Sequence, residues 1–102
     1  MATLVEVARI VKSANAGAAW LTFDIECDDA QALARVSAAL RSDLDGLAAR
    51  LGVATAHVRL FEIGALNSIK ISVPRRHPAC GQDERDFDGL QQFIPLLDLE
   101  VP

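Results

Sequence analysis

The stretch Trp20–Cys27, "WLTFDIEC", constrains the fold most. Leu21, Phe23, Ile25 and Cys27 alternate with Trp20, Thr22, Asp24 and Glu26. Side chains of a strand point to opposite faces with period two, so this segment is a strand with one buried face. A second alternating run, "SIKISV" at 68–73, sends Ile69, Ile71 and Val73 one way and Ser68, Lys70 and Ser72 the other. If the two strands are neighbours, Trp20, Thr22 and Asp24 share an open face with Lys70 and Ser72, and a slip of one residue would reverse that face.

The remaining elements follow from the same periodicities. "TLVE" at Thr3–Glu6 fits a capping box, and Leu4, Val7, Ala8 and Val11 then recur at helical spacing. This predicts a helix from about Thr3 to Ala14. Asp28 and Asp29 are N-cap candidates for a helix carried by Leu33, Val36 and Leu40. Ser42 restarts or bends it, Leu44, Leu47, Ala48 and Leu51 continue its stripe, and Gly52 fits a left-handed end. A strand is expected from about His57 to Ile63, with "GALN" turning into the Ser68–Val73 strand. Residues 75–86 read as a polar loop, "FDGLQQFI" as a short helix, and Leu97, Leu99 and Val101 as a last strand. The order is a helix followed by β-α-β-β-α-β. This is an α/β (α+β) chain with a ferredoxin-like sandwich, an antiparallel sheet and an extra N-terminal helix.

At 102 residues the chain makes one domain, 1–102. Its formal net charge of −4, without a basic stripe, argues against nucleic acid and against an anionic membrane surface. No apolar run is long enough to span a bilayer, and the N-terminus lacks the pattern of a signal peptide. Cys27 and Cys80 form no CxxC, so a reduced thiol pair in the cytoplasm is expected. His57 and His77 have no second ligand at metal-binding spacing. No GxSxG, phosphate-binding loop or dinucleotide fingerprint is present. Neither a metal nor a cofactor is expected.

Two polar segments stand out. "KSANAG" at 12–17 is either a helix C-terminus, with Lys12 on the dipole and Asn15 or Gly17 at positive φ, or a loop turned toward a ligand. In "GALNSIK", Asn67 suits a turn, and Lys70 either binds an anion or pairs with Asp24 across the sheet. Gln91 and Gln92 offer amides on a short helix. Arg75, Arg76 and His77 form a small basic cluster, offset nearby by Asp83, Glu84, Asp86 and Asp88. Cys80 has only His77 as a neighbouring base in sequence. Trp20 is the single tryptophan, either an interface anchor on the open face or covered by the N-terminal helix.

"VARIVKSANAG", "LTFDIE", "ALNSIKISVPR" and "DGLQQFIPLLDLEVP", in that order, resemble a small bacterial family of unknown function commonly encoded beside AtuA-like proteins, named for acyclic terpene utilisation. They are also similar to the ferredoxin-fold domain attached to many AtuA-like proteins. The resemblance implies an accessory subunit of a larger AtuA-like protein, in catabolism of organic acids or acyl-CoA compounds. It raises Lys12, Ser13, Asn15, Gly17, Asn67, Lys70, Gln91 and Gln92 as ligand-binding candidates for a carboxylate or CoA-linked molecule, beside Trp20 and Thr22 at an interface. One departure is Phe93, where the family pattern commonly has a histidine after the paired glutamines. The rival readings are a stand-alone lyase, hydratase or isomerase, for which the chain offers no convincing base, and a homo-oligomeric ligand-binding domain.

Overall fold

A computed structural model describes residues 2–16, 19–74 and 96–102. Its elements run in chain order as β1 (Ala2–Thr3), α1 (Leu4–Val7), β2 (Ile10–Asn15), β3 (Trp20–Glu26), α2 (Ala30–Ser42), α3 (Leu44–Leu51), β4 (Arg59–Ile63), β5 (Ser68–Pro74) and β6 (Glu100–Val101). Single 3-10 turns lie at Thr55–His57 and Gly64–Leu66. The domain is mixed α+β with antiparallel sheets and three α-helices among the described residues.

The main sheet has the order β2-β3-β5-β4, and all its neighbours are antiparallel. The two alternating runs that dominate the sequence form its centre: Leu21 pairs with Val73, Phe23 with Ile71 and Ile25 with Ile69. All six are buried beneath the helices. Burying side chains of this size contributes about 1.5–3 kcal/mol each, so this face holds the sheet against α2 and α3.

Helix boundaries follow local chemistry. The Asp29 carboxylate accepts from the Ala32 N–H at 2.8 Å and starts α2, whose Leu33, Val36 and Leu40 are buried. Asp43 does the same for α3 through the Gly46 N–H at 2.9 Å. A Cβ at Gly46 would meet that carboxylate, so a larger residue there would make the Asp43 side chain shift. Gly52, at φ 72°, ends α3 in the left-handed region.

The N-terminal segment departs from the expected helix. Only Leu4–Val7 is helical, and Ala8 is extended at φ −82°, ψ 145°. From Ile10 the chain is a strand, paired residue for residue with β3. Val5, Val7, Ile10 and Val11 are β-branched, stiff at χ1 and suited to a pleated surface. Pairing with β3 gives the backbone a hydrogen-bonded neighbour along the whole of Ile10–Asn15. KSANAG is therefore not a helix terminus: Lys12–Asn15 lie within β2, and Ala16 N–H donates to the Trp20 carbonyl at 3.0 Å in the β2–β3 connection.

The last strand is shorter than expected and pairs elsewhere. Glu100 and Val101 pair with Thr3 and Ala2 in a separate two-stranded sheet. The Leu4 and Val5 N–H groups donate to the Leu99 and Leu97 carbonyls at 2.8 and 3.1 Å. Leu4, Leu96, Leu99 and Val101 thereby join the core from opposite ends of the sequence. The strand beside β3 is thus β2, where the ferredoxin-like reading places the C-terminal strand. The polar loop and the short helix expected between residues 75 and 95 lie outside the described residues.

Candidate functional site

The register of the sheet assigns its second face. Residues paired directly across an antiparallel ladder point the same way, so the face opposite the helices is built from rows. Lys12, Asp24, Lys70 and Phe61 form one row; Ala14, Thr22, Ser72 and Arg59 form the next; Ile10, Glu26, Ser68 and Ile63 flank the first on its other side. Trp20, opposite Pro74, ends the face. Trp20, Thr22 and Asp24 therefore share the open face with Lys70 and Ser72, as their alternation implies.

The centre of this face is charged. Lys70 Nζ lies 3.9 Å from Asp24 Oδ1, and Lys12 Nζ lies 3.4 Å from Glu26 Oε2. Arg9 lies 3.5 Å from Glu26 and 3.8 Å from Asp28. Lys12 and Lys70 sit on opposite sides of β3, about 10 Å apart at two strand spacings. In the two lysine pairs the cations are about half exposed and the carboxylates half-buried, and at these separations each pair contributes little stability. Around them stand large apolar side chains: Trp20 is 41% exposed and Phe61 51%, with Ile10 and Ile63 similarly bare. The Thr22 hydroxyl donates to the Ala14 carbonyl at 3.3 Å, tying the hairpin beneath Trp20.

The other candidates are dispersed. Ser13 is only 2% exposed and sits on the helix-facing side, in register with Phe23. Asn15 pairs with Leu21 on that same side at the end of β2. Asn67 adopts the left-handed conformation at φ 49° and closes the 3-10 turn; its carbonyl accepts from the Cys27 N–H at 2.8 Å. That is the turn role its type suits. Gly17, Gln91 and Gln92 lie outside the described residues, as do Arg75, Arg76, His77, Cys80 and Phe93. The structure thus brings Lys12, Lys70, Thr22 and Trp20 to one face and places Ser13, Asn15 and Asn67 away from it.

Sequence reasoning missed Ile10, Arg59, Phe61 and Ile63. Arg59, Phe61 and Ile63 are alternate residues of the expected hairpin, so extending the period-two argument from β5 to β4 would have found them. Ile10 was hidden by its assignment to a helix. Away from this face, burial, then the charges of Asp28 and Asp29, push the Cys27 thiol above its ordinary pKa, which makes it a packing residue rather than a nucleophile. A cavity of about 520 Å³ opens where α2 and α3 meet the C-terminal segment; Arg50 lines it and pairs with Asp98 at 2.5 Å. Among the described residues no three His, Cys, Asp or Glu side chains are grouped to hold a metal ion. No helix there is long and apolar enough to cross a membrane.

The family model described as "Domain of unknown function (DUF4387)" matches residues 4–100. The chain belongs to the DUF4387 family. This match covers the whole four-stranded sheet, so the open face is part of the DUF4387 domain itself. It carries no link to AtuA-like proteins. Among curated proteins and among solved structures, nothing matches this DUF4387 chain.

Proposed function

We propose that this chain is an interaction module, an accessory subunit that docks through the open sheet face on a larger AtuA-like protein in the cytoplasm. The complex would act in the catabolism of organic acids or acyl-CoA compounds. The observation that carries the reading is the face itself: Trp20, Phe61, Ile10 and Ile63 lie bare around an ionic centre. A half-exposed tryptophan beside other apolar groups, with charges interleaved, is the composition of an interface centre. The choice of partner rests on the four sequence segments that resemble the AtuA-associated family. The same resemblance supports reading β3, α2, β4 and β5 as the leading β-α-β-β of a ferredoxin-like sandwich.

Any ligand of the assembled complex would be anionic. Lys12 and Lys70 share the face and would balance a carboxylate or phosphate once the partner excludes water. Ser13 and Asn15 point the other way, so the lysines carry this part of the proposal. A stand-alone enzyme is less well supported, because Asp24, the central carboxylate, is engaged by Lys70 and no other base stands apart beside it among the described residues.

The test is co-purification of the tagged chain from its native host, with light scattering on the recovered species. A stoichiometric AtuA-like partner is expected, and Trp20→Ala should weaken the complex by about 30-fold or more, as loss of an interface anchor does. A partner retained at full strength by Trp20→Ala moves the interface elsewhere. A chain recovered alone that turns over an acyl-CoA panel unaided overturns the proposal.

A further inference from the structure

The outer edge of β4 carries an inference that does not depend on the AtuA-like partner. Strand edges expose backbone N–H and C=O groups, and monomeric proteins blunt them with proline, lysine or bulges. The other edge, β2, carries Lys12 at its middle. β4, "RLFEI", has no proline and no lysine, and it pairs with β5 one to one over all five residues, without a bulge; its two charges are Arg59, on the open face, and Glu62, held on the helix side by Ser37 and Arg41. Arg59 and every residue from Phe61 to Leu66 are exposed. Leu60, Phe61 and Ile63 favour extended pairing.

We propose that β4 pairs with β4 of a second copy of this chain, antiparallel, joining two four-stranded sheets into one. A twofold axis normal to the sheet makes such a contact, and it keeps the helices of both copies on one side. Antiparallel pairing also requires opposed residues to share a face, which restricts the register. Centring on Glu62 would set the two Glu62 carboxylates against each other, a repulsive pair. Centring on Phe61 would set Arg59 against the aliphatic Ile63 twice on the open face, so that its guanidinium faces neither a ring nor a carboxylate. Centring on Leu60 sets Leu60 against Leu60 and, on the open face, Arg59 of each copy against Phe61 of the other; Val58, just before the strand, then faces Glu62 on the helix side.

That last register is chemically complementary. Arg59 makes no ion pair among the described residues, and its guanidinium would lie over the bare ring of Phe61 in a cation–π contact made twice. Glu62 stays with its own copy, where Oε1 accepts from the Ser37 hydroxyl and lies 3.7 Å from Arg41. The contact leaves Trp20, Lys12 and Ile10, on β3 and β2 toward the opposite edge of the same face, free for the docking proposed above.

Light scattering of the purified chain tests this, at a concentration on the order of 100 µM, above the Kd of a micromolar interface. The expected mass is twice 11.0 kDa. Phe61→Arg sets like charges against Arg59 and should halve the mass. Phe61→Glu removes the same ring but sets opposite charges against Arg59, and should keep the dimer, now weakened by salt. Circular dichroism melts confirm that both variants fold. A wild-type monomer overturns the proposal. So do two monomeric variants, which would make the ring alone the contact, or two dimeric ones, which would place the interface elsewhere. Because no partner protein is present, these outcomes are separable from failure of the docking reading.

Discussion

Aspartate substitutions at Ser13 and Ala14 test the placement of KSANAG directly. Ser13 is 2% exposed on the helix-facing side of β2, beside Phe23; Ala14 is the next residue and points to the open face beside Thr22. Ser13→Asp puts a carboxylate into the core beside Phe23, away from solvent. An uncompensated buried charge costs about 3–5 kcal/mol. Ala14→Asp meets solvent and hydroxyl groups, so its cost is the strand-propensity term, about 1 kcal/mol or less. Tm falls by about 4–8 °C per kcal/mol for a domain near this size, so the two variants should melt at least about 8 °C apart. Thermal and urea denaturation at neutral pH read both values. Burial raises the pKa of the introduced carboxyl, so the Ser13→Asp deficit should shrink as pH falls into the ordinary carboxylate range. If residues 12–17 instead ended a helix or formed a loop facing a ligand, both positions would see water. Equal stabilities for the two variants would refute the strand and its register together.

Two further changes probe the clamp and the core thiol. Leu4 is fully buried and its N–H holds Leu99, so Leu4→Ala should cost about 2–5 kcal/mol by chemical denaturation; a loss below about 1 kcal/mol would mean that the chain ends are not docked. Cys27 should resist alkylation in the native protein, followed at its own peptide by mass spectrometry, and should label rapidly only in urea. Its folded pKa is raised, so its contribution to stability is full below the unfolded thiol value, about 8.5, and is lost as pH rises through the folded one. Cys27→Ala should remove that alkaline slope, and an unchanged slope would assign it to other groups.

The central strand pair, the helix caps and the turn were legible because each signal is local and complete. The alternation of Trp20–Cys27 and of Ser68–Val73 needs no partner to be read, Asp29 and Gly52 act on their own helices, and Asn67 closes the turn beside it. The N-terminal strand was not legible for the converse reason. Its core positions are Val11, Ser13 and Asn15, and its open face includes Ile10 and Ala14, so polarity runs against the alternation that a strand should display. Leu4, Val7, Ala8 and Val11 meanwhile fit a helical stripe by coincidence of spacing. Pairing with β3 decides the outcome, and that contact is invisible until the hairpin is assembled. The clamp between Leu4 and Leu99 is a contact across almost the whole chain, which no window of sequence contains.

The same logic separates the two halves of KSANAG. A helix would spread Lys12, Ser13 and Asn15 around its axis, and a loop could turn all three to one ligand. A strand permits neither, because adjacent residues face opposite sides. Lys12 goes with Asp24 and Lys70, while Ser13 goes with Phe23 and the core. A polar cluster in sequence thus becomes one surface cation and one buried hydroxyl. The charges that do converge, Lys12, Asp24 and Lys70, come from three strands. Chemistry on this chain should be sought across the rows of its open sheet face, beside Trp20, rather than along any one segment.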